Sequence, residues 1–244
     1  MAHREGKAAA IESRTILAAG ACLSGMKAFC TYCSASKSQA PGEVPAIKRY
    51  FSERILKVQE AASILGFPFF ILSGKFGLLA PDDTIPYYDH LLATGEVKSL
   101  ANLIAKQMLV RNIDGFVFFT KSLAHNPNLQ PYFDALEKAC EELARPLCVM
   151  EWKESGMSTW KDIMRLAEVA KTELVRDRAT GEKAFDSLLK RYPGDGMVFF
   201  KRGEAYEEIG AKTFAVQDFG RAIALFPMPV WKERAREAYE RVKS

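Results

Sequence analysis

The sequence lacks the short signatures that usually announce a chemistry. It contains no Gly-x-x-x-x-Gly-Lys-Ser/Thr, no Gly-x-Gly-x-x-Gly, no His-Glu-x-x-His and no Gly-x-Ser-x-Gly. A Walker-type phosphate loop, a dinucleotide fingerprint, a zincin site and an esterase elbow all lose their usual marks. Long apolar runs are missing as well: stretches such as Phe67 to Leu72 fall far short of the ~20 residues a bilayer requires. Histidine is rare, with 3 in the chain, and His90 and His125 stand isolated. Cys30-x-x-Cys33 has no second pair at ligand spacing, so no metal site is expected.

A strong excess of one charge is absent too. The formal net charge is +4 over 244 residues. Up to residue 152 there are 16 basic and 15 acidic residues, and beyond it 18 and 15. Neither part has the basic surplus of a protein that grips nucleic acid by its phosphates. The five cysteines are an odd number with nothing else to suggest secretion, which points to free thiols in a reducing, cytoplasmic setting. Glu12 and Arg14 interrupt the Ala-rich start, so no signal core is expected there. The expectation is a soluble protein without a membrane span or cofactor.

What is present is ordinary globular composition, 48% hydrophobic and 26% charged, enough for a sizeable core. Residues 1–14 read as a tail or frayed helix. The apolar, small-residue stretch 15–24 reads as either a strand or a buried helix. Lys27 to Tyr32 is a short β-like run, followed by a polar loop containing Pro41 and Gly42. Ala46 to Leu65 has helical spacing, with Ile47, Tyr50, Ile55, Val58, Ala62 and Leu65 on one stripe closed by Gly66. Pro68 to Ser73 reads as a strand buried on both faces. Residues 74–79 turn away from it, and a long loop runs to about Glu96. Lys98 to Arg111 is helical, Gly115 to Phe119 a buried strand, Asn128 to Ala144 a helix, and Pro146 to Met150 a last strand. This alternation predicts an α/β domain over 15–152 with a parallel, Rossmann-like, three-layer sheet. In such sheets ligands bind outside the carboxyl ends of the strands.

From about Gly156 the β signal disappears, and residues 156–244 read as an all-α segment. Residues 196–229 match one tetratricopeptide unit: Phe199, Gly203, Tyr206, Ala215, Phe219 and Pro227 fall at its spacings. Arg202 stands where that repeat usually has leucine. Thirty-four residues earlier the match is thinner, resting on Gly181, Phe185, Leu188 and Pro193. The first helix of that unit is degenerate. A last helix over about 230–242 would act as a cap. So few repeats call for docking, and a protein partner or homo-oligomer is expected through these helices.

Three segments converge at predicted strand ends: 33–37, 73–92 and 120–122. They carry small hydroxyl residues beside lysines, as an anionic ligand requires. Lys75 lies between Gly74 and Gly77, which permit close backbone approach. Lys37 and Lys75 are candidate anion holders, with Ser34, Ser73 and Thr120 as hydrogen-bond donors. Tyr88 is a candidate stacking surface. Asp89 is a candidate general base, a cap for a helix beginning near Leu91, or both. Cys33 is either a buried small hydrophobe or a nucleophile.

The stretches CSASK, VPAIKRYFSERI and FFILSGKFGLLAPDDTIPYYDHLL resemble a family of bacterial and phage domains without assigned function. That family shows Cys-Ser-x-x-Lys, a helix, and then a strand followed by Ser-x-Lys-x-Gly-Leu and Tyr-Asp-x-x-Leu. The resemblance covers roughly residues 27–150. It extends distantly to the core domain of archaeosine synthases, which act in 7-deazaguanine modification of tRNA. It implies a uracil-DNA-glycosylase-like α/β fold, with Cys33, Ser34, Lys37, Ser73, Lys75, Gly77, Tyr88 and Asp89 at the motif positions. The chain departs from the archaeosine type at Tyr32, where that motif has proline, and at Ser38-Gln39, where it continues Lys-Pro-Tyr.

The expected function is an enzyme acting on a nucleotide, nucleoside or nucleobase-like small molecule, which is anionic or carries a base. The rival readings are a ligand sensor reporting through the helical segment, and a scaffold with a dead pocket.

Overall fold

The computed structural model describes residues 26–152 and 160–244. The readings made for residues 1–14 and 15–24 lie outside them. The chain divides into two compact units, Met1–Ala62 with Phe67–Glu154, and Ser155–Ser244 with Ser63–Gly66.

The first unit is mixed α/β around a mostly parallel five-stranded sheet. Its strands are β1 (Met26–Tyr32), β3 (Phe69–Ser73), β4 (Gly77–Leu79), β6 (Ile113–Thr120) and β7 (Leu147–Glu151), in the order β4-β3-β1-β6-β7. Every residue of β3 and β6 is buried. That is why these strands read as unbroken apolar runs rather than alternating ones. Phe116 and Phe118, almost wholly buried, each contribute about 1.5–3 kcal/mol by leaving water.

Helices α2 (Glu53–Leu65), α3 (Val97–Val110) and α4 (Gln130–Glu142) link the parallel strands. From β1 the chain moves to β3 on one side and then returns across to β6 on the other. The right-handed crossover rule assigns α2 to one face and the mutually packed α3 and α4 to the other. The reversal of direction falls between β1 and β6. Register levels the strand ends there: Tyr32 lies opposite Leu72, Thr31 opposite Phe119 and Thr120 opposite Glu151.

Three expectations are corrected. The helix expected over 46–65 is two: α1 (Ala46–Arg49) and α2, broken where Tyr50 is extended and bridges to Lys37. Ser52 ahead of Glu53 is a start signal that the apolar stripe obscured. Segment 74–79 does not simply leave the sheet. It is a tight turn into β4, which pairs antiparallel with β3. The loop 80–96 contains β5 (Thr84–Ile85), which pairs antiparallel with β2 (Val44–Pro45).

The described residues of the second unit from 160 onward form five helices: α5 (Trp160–Arg176), α6 (Arg178–Arg191), α7 (Gly196–Glu208), α8 (Lys212–Leu225) and α9 (Pro229–Lys243). α8 begins and ends thirty-four residues after α6. Small residues set the close approaches. A Cβ on Gly181 would fall 2.1 Å from Leu174 Cα, and one on Gly203 2.8 Å from the Phe219 ring. Arg202, where leucine was expected, forks onto the buried Asp218 at 2.7 and 2.9 Å and ties α7 to α8. Among the described residues no helix is long and apolar enough to cross a membrane.

Candidate functional site

The carboxyl ends of β1 and β3 lead into the site. Cys33 follows β1 directly, and its amide donates to the Leu72 carbonyl of β3 at 2.8 Å. Ser73 ends β3, fully buried, and its Oγ accepts from the amides of Lys75 and Phe76, each at 3.2 Å. The same oxygen lies 2.8 Å from the Tyr88 hydroxyl, which lies 2.5 Å from the Tyr50 hydroxyl. Tyr132, arriving from α4, hydrogen-bonds Cys33 and accepts from the Leu92 amide at 3.4 Å. Gly74 makes room for it: a Cβ there would stand 3.0 Å from the Tyr132 hydroxyl.

Three phenols therefore surround the carboxyl ends of two parallel strands. Burial, with repulsion from Cys33 next, pushes Tyr50 up to about 12. The same two causes raise Tyr88 and Tyr132 further. All three are neutral at pH 7 and act as hydrogen-bonding groups.

Two lysines meet over this cluster. Lys37 Nζ lies 5.0 Å and Lys75 Nζ 5.7 Å from the centre of the Tyr88 ring. They differ in exposure. Lys75 is exposed, whereas the Lys37 side chain is only 5% accessible. The carboxylate nearest Lys37 is Asp89, at 4.0 Å and 93% exposed. Lys75 and Asp89 also line an open groove of about 430 Å³ with His90, Ser99 and Leu103. His90 Nε2 lies 3.3 Å from Glu96, which is itself fixed by the Ala93 amide at 2.9 Å.

Two buried arginines, which the sequence reading missed, underlie the same edge. Arg49 is fully buried and donates to four carbonyls: Ser38, Ala40, Gly42 and Ile85. Arg54 donates to Thr31 Oγ1 and to the Tyr32 carbonyl, and stacks on the Tyr32 ring at 3.4 Å. Burial pulls Arg54 down to about 10, which still leaves it charged at pH 7. Among the described residues of the unit, neither arginine is paired with a carboxylate. Among the described residues, the one buried carboxylate of the unit is Asp114, at the opposite end of β6 and paired with Arg145 at 3.0 Å.

Ser34, Gly77 and Thr120 fall outside this cluster, and Tyr88 and Asp89 take roles other than the expected stacking surface and helix cap. Ser34 Oγ donates to the Phe51 carbonyl at 3.0 Å and accepts from the Ser36 amide, so its hydroxyl is spent on the loop. Gly77 is fixed by its turn, with φ +71°, and by Gln107, whose Oε1 a Cβ would meet at 2.2 Å. Thr120 sits at the level of the other strand ends, but its hydroxyl donates to the Lys121 carbonyl. Tyr88 offers no open face for stacking. It is buried, with Phe76 and Tyr50 edge-on to it. Asp89 caps no helix, because the chain stays irregular to Ala93 and α3 begins at Val97. Cys30 lies deep in the core, where burial drives its thiol pKa up. No cluster of metal-ligating side chains forms among the described residues.

No family model, no curated protein and no solved structure matches the chain.

Proposed function

We propose that the sheet unit is a Rossmann-like domain that binds an anionic, base-containing small molecule of the nucleotide or nucleoside class at the carboxyl edge of its sheet. The observation that carries this reading is the convergence of Lys37 and Lys75 on the Tyr88 ring, beside a groove, with the exposed Asp89 as the carboxylate at hand. Over the Tyr88 ring two ammonium groups face one solvated carboxylate, an arrangement that attracts an anion there, while the groove beside them is lined by Lys75 together with Asp89 and Glu96. Its volume suits a small molecule. Lys75 and Lys37 hold the anion, and Asp89, open to the groove, orients or deprotonates a polar group of the ligand. The resemblance to deazaguanine enzymes favours a 7-deazapurine among the candidates.

A sensor is the second reading, and one observation favours it. The candidate nucleophile Cys33 is flanked by phenols and a guanidinium, which orient but do not serve as a base near pH 7. In either reading the helical unit is tetratricopeptide-like and supplies the contact with a protein partner or a second copy.

Nucleotides, 7-deazapurines and sugar phosphates screened by thermal shift test the proposal, because a ligand that binds only the folded chain raises its melting point. A saturable shift that Lys75→Ala weakens supports it, and no shift with any of the three classes overturns it. Mass-spectrometric detection of turnover with the stabilising compound then selects the enzyme over the sensor.

A further inference from the structure

We infer that Lys37, Tyr50 and Tyr88 form an oxyanion subsite suited to a phosphate monoester, the anionic end of the ligand proposed above. The inference rests on that reading and adds to it the identity of the anion and the groups that hold it.

Counting protons gives the first argument. Ser73 Oγ already accepts from two backbone amides, so its own proton is left to donate, and Tyr88 Oη is its neighbour at 2.8 Å. The Tyr88–Tyr50 contact uses one more proton. Three hydroxyl protons serve two contacts, which leaves one phenol proton, on Tyr50 or Tyr88, without a hydrogen-bond acceptor among the described residues. Both phenols are buried, where an unused donor is costly.

Charge gives the second. The Lys37 side chain is 95% removed from solvent, with exposure of 5%. Among the described residues its ammonium makes no hydrogen bond: its contacts are the Tyr88 ring at 5.0 Å and Asp89 at 4.0 Å. Arg49 and Arg54, buried under the same edge, add positive charge that no buried carboxylate among the described residues matches. A largely buried cation whose one carboxylate partner is solvated and at the limit of ion-pair range is poorly compensated, and an incoming anion removes that penalty. Three cations favour a doubly charged oxyanion over a carboxylate. A phosphate also supplies several acceptor oxygens for the ammonium and phenol protons.

The full-length chain titrated with inorganic phosphate tests this, against chloride at matched ionic strength. Melting point and calorimetric heat are the two readouts, for wild type, Lys37→Met, Lys37→Arg and Tyr50→Phe. Circular dichroism checks that each variant is folded. Wild type is expected to show saturable stabilisation. Lys37→Met is expected to lose it and Lys37→Arg to recover part of it. Tyr50→Phe is expected to weaken the dissociation constant about tenfold, the scale of one hydrogen bond to a charged group. If Lys37→Met does not fold, Tyr50→Phe decides alone: an unchanged constant counts against the subsite. A non-saturating rise common to wild type and Lys37→Met is the general effect of an excluded salt and overturns the inference. Adenosine and its monophosphate separate the two levels. If both bind equally and phosphate does not bind, the subsite fails and the broader reading stands. If none of the three binds, neither holds.

Discussion

Arg202 in the helical unit and Lys37 in the sheet unit are both cations whose side chains are largely withdrawn from water, and the chain treats them differently. Arg202 meets a buried carboxylate, Asp218, in a two-point fork and bridges two helices. Lys37 meets an aromatic ring and a carboxylate at the edge of ion-pair range that is itself in water. Arg49 is intermediate, with its charge solvated by four carbonyls. A cation completed by its own chain serves the fold. One left incomplete, as at Lys37, is what the proposed anion would complete.

Substitutions can break this comparison or sharpen it. The largest effect is expected from Asp218→Ala, which strands the Arg202 guanidinium and costs about 3–5 kcal/mol in urea unfolding. Arg49→Met comes next, at about 2–3 kcal/mol, because four carbonyls lose a charged donor. Loss of stability well below 1 kcal/mol in either case would erase the contrast with Lys37.

A pH series probes the phenol cluster. Tyr50 titrates near 12 when folded and near 10 when unfolded. The folded state holds its proton more tightly, so the stabilisation is complete below pH 10 and is lost as pH rises toward 12. The stability of wild type relative to Tyr50→Phe is therefore expected to fall by on the order of 2 kcal/mol between pH 9.5 and 12. A constant difference across that range would mean that Tyr50 is not buried as described. Lys37→Met is expected to have the smallest effect without ligand: stability unchanged or raised by up to about 1 kcal/mol.

The sheet was legible where burial on both faces left continuous apolar runs, as at Phe69 to Leu72 and Phe116 to Phe119. The three-residue β4 was not, because Gly77-Leu78-Leu79 is too short to show a period and begins at a glycine needed for its turn. At the site, lysines beside small hydroxyl residues drew attention to Lys37, Lys75 and Ser73. Arg49 and Arg54 escaped notice because on one continuous helix they read as its polar face. Their partners are mostly backbone carbonyls, which leave no mark in a sequence. Tyr50 escaped for the opposite reason. It continued the apolar stripe, and only the break after α1 turns its hydroxyl toward Tyr88. Arg202 shows the same limit, since its partner Asp218 lies sixteen residues on, across a helical turn-back.

The most direct measurement is the unfolding free energy of Lys37→Met against wild type, taken once in phosphate-free buffer and once in saturating phosphate. If Lys37 is held for a ligand, the variant equals or exceeds wild type without phosphate and falls below it with phosphate. A variant weaker than wild type by the same amount in both buffers would make Lys37 a structural residue and contradict the account.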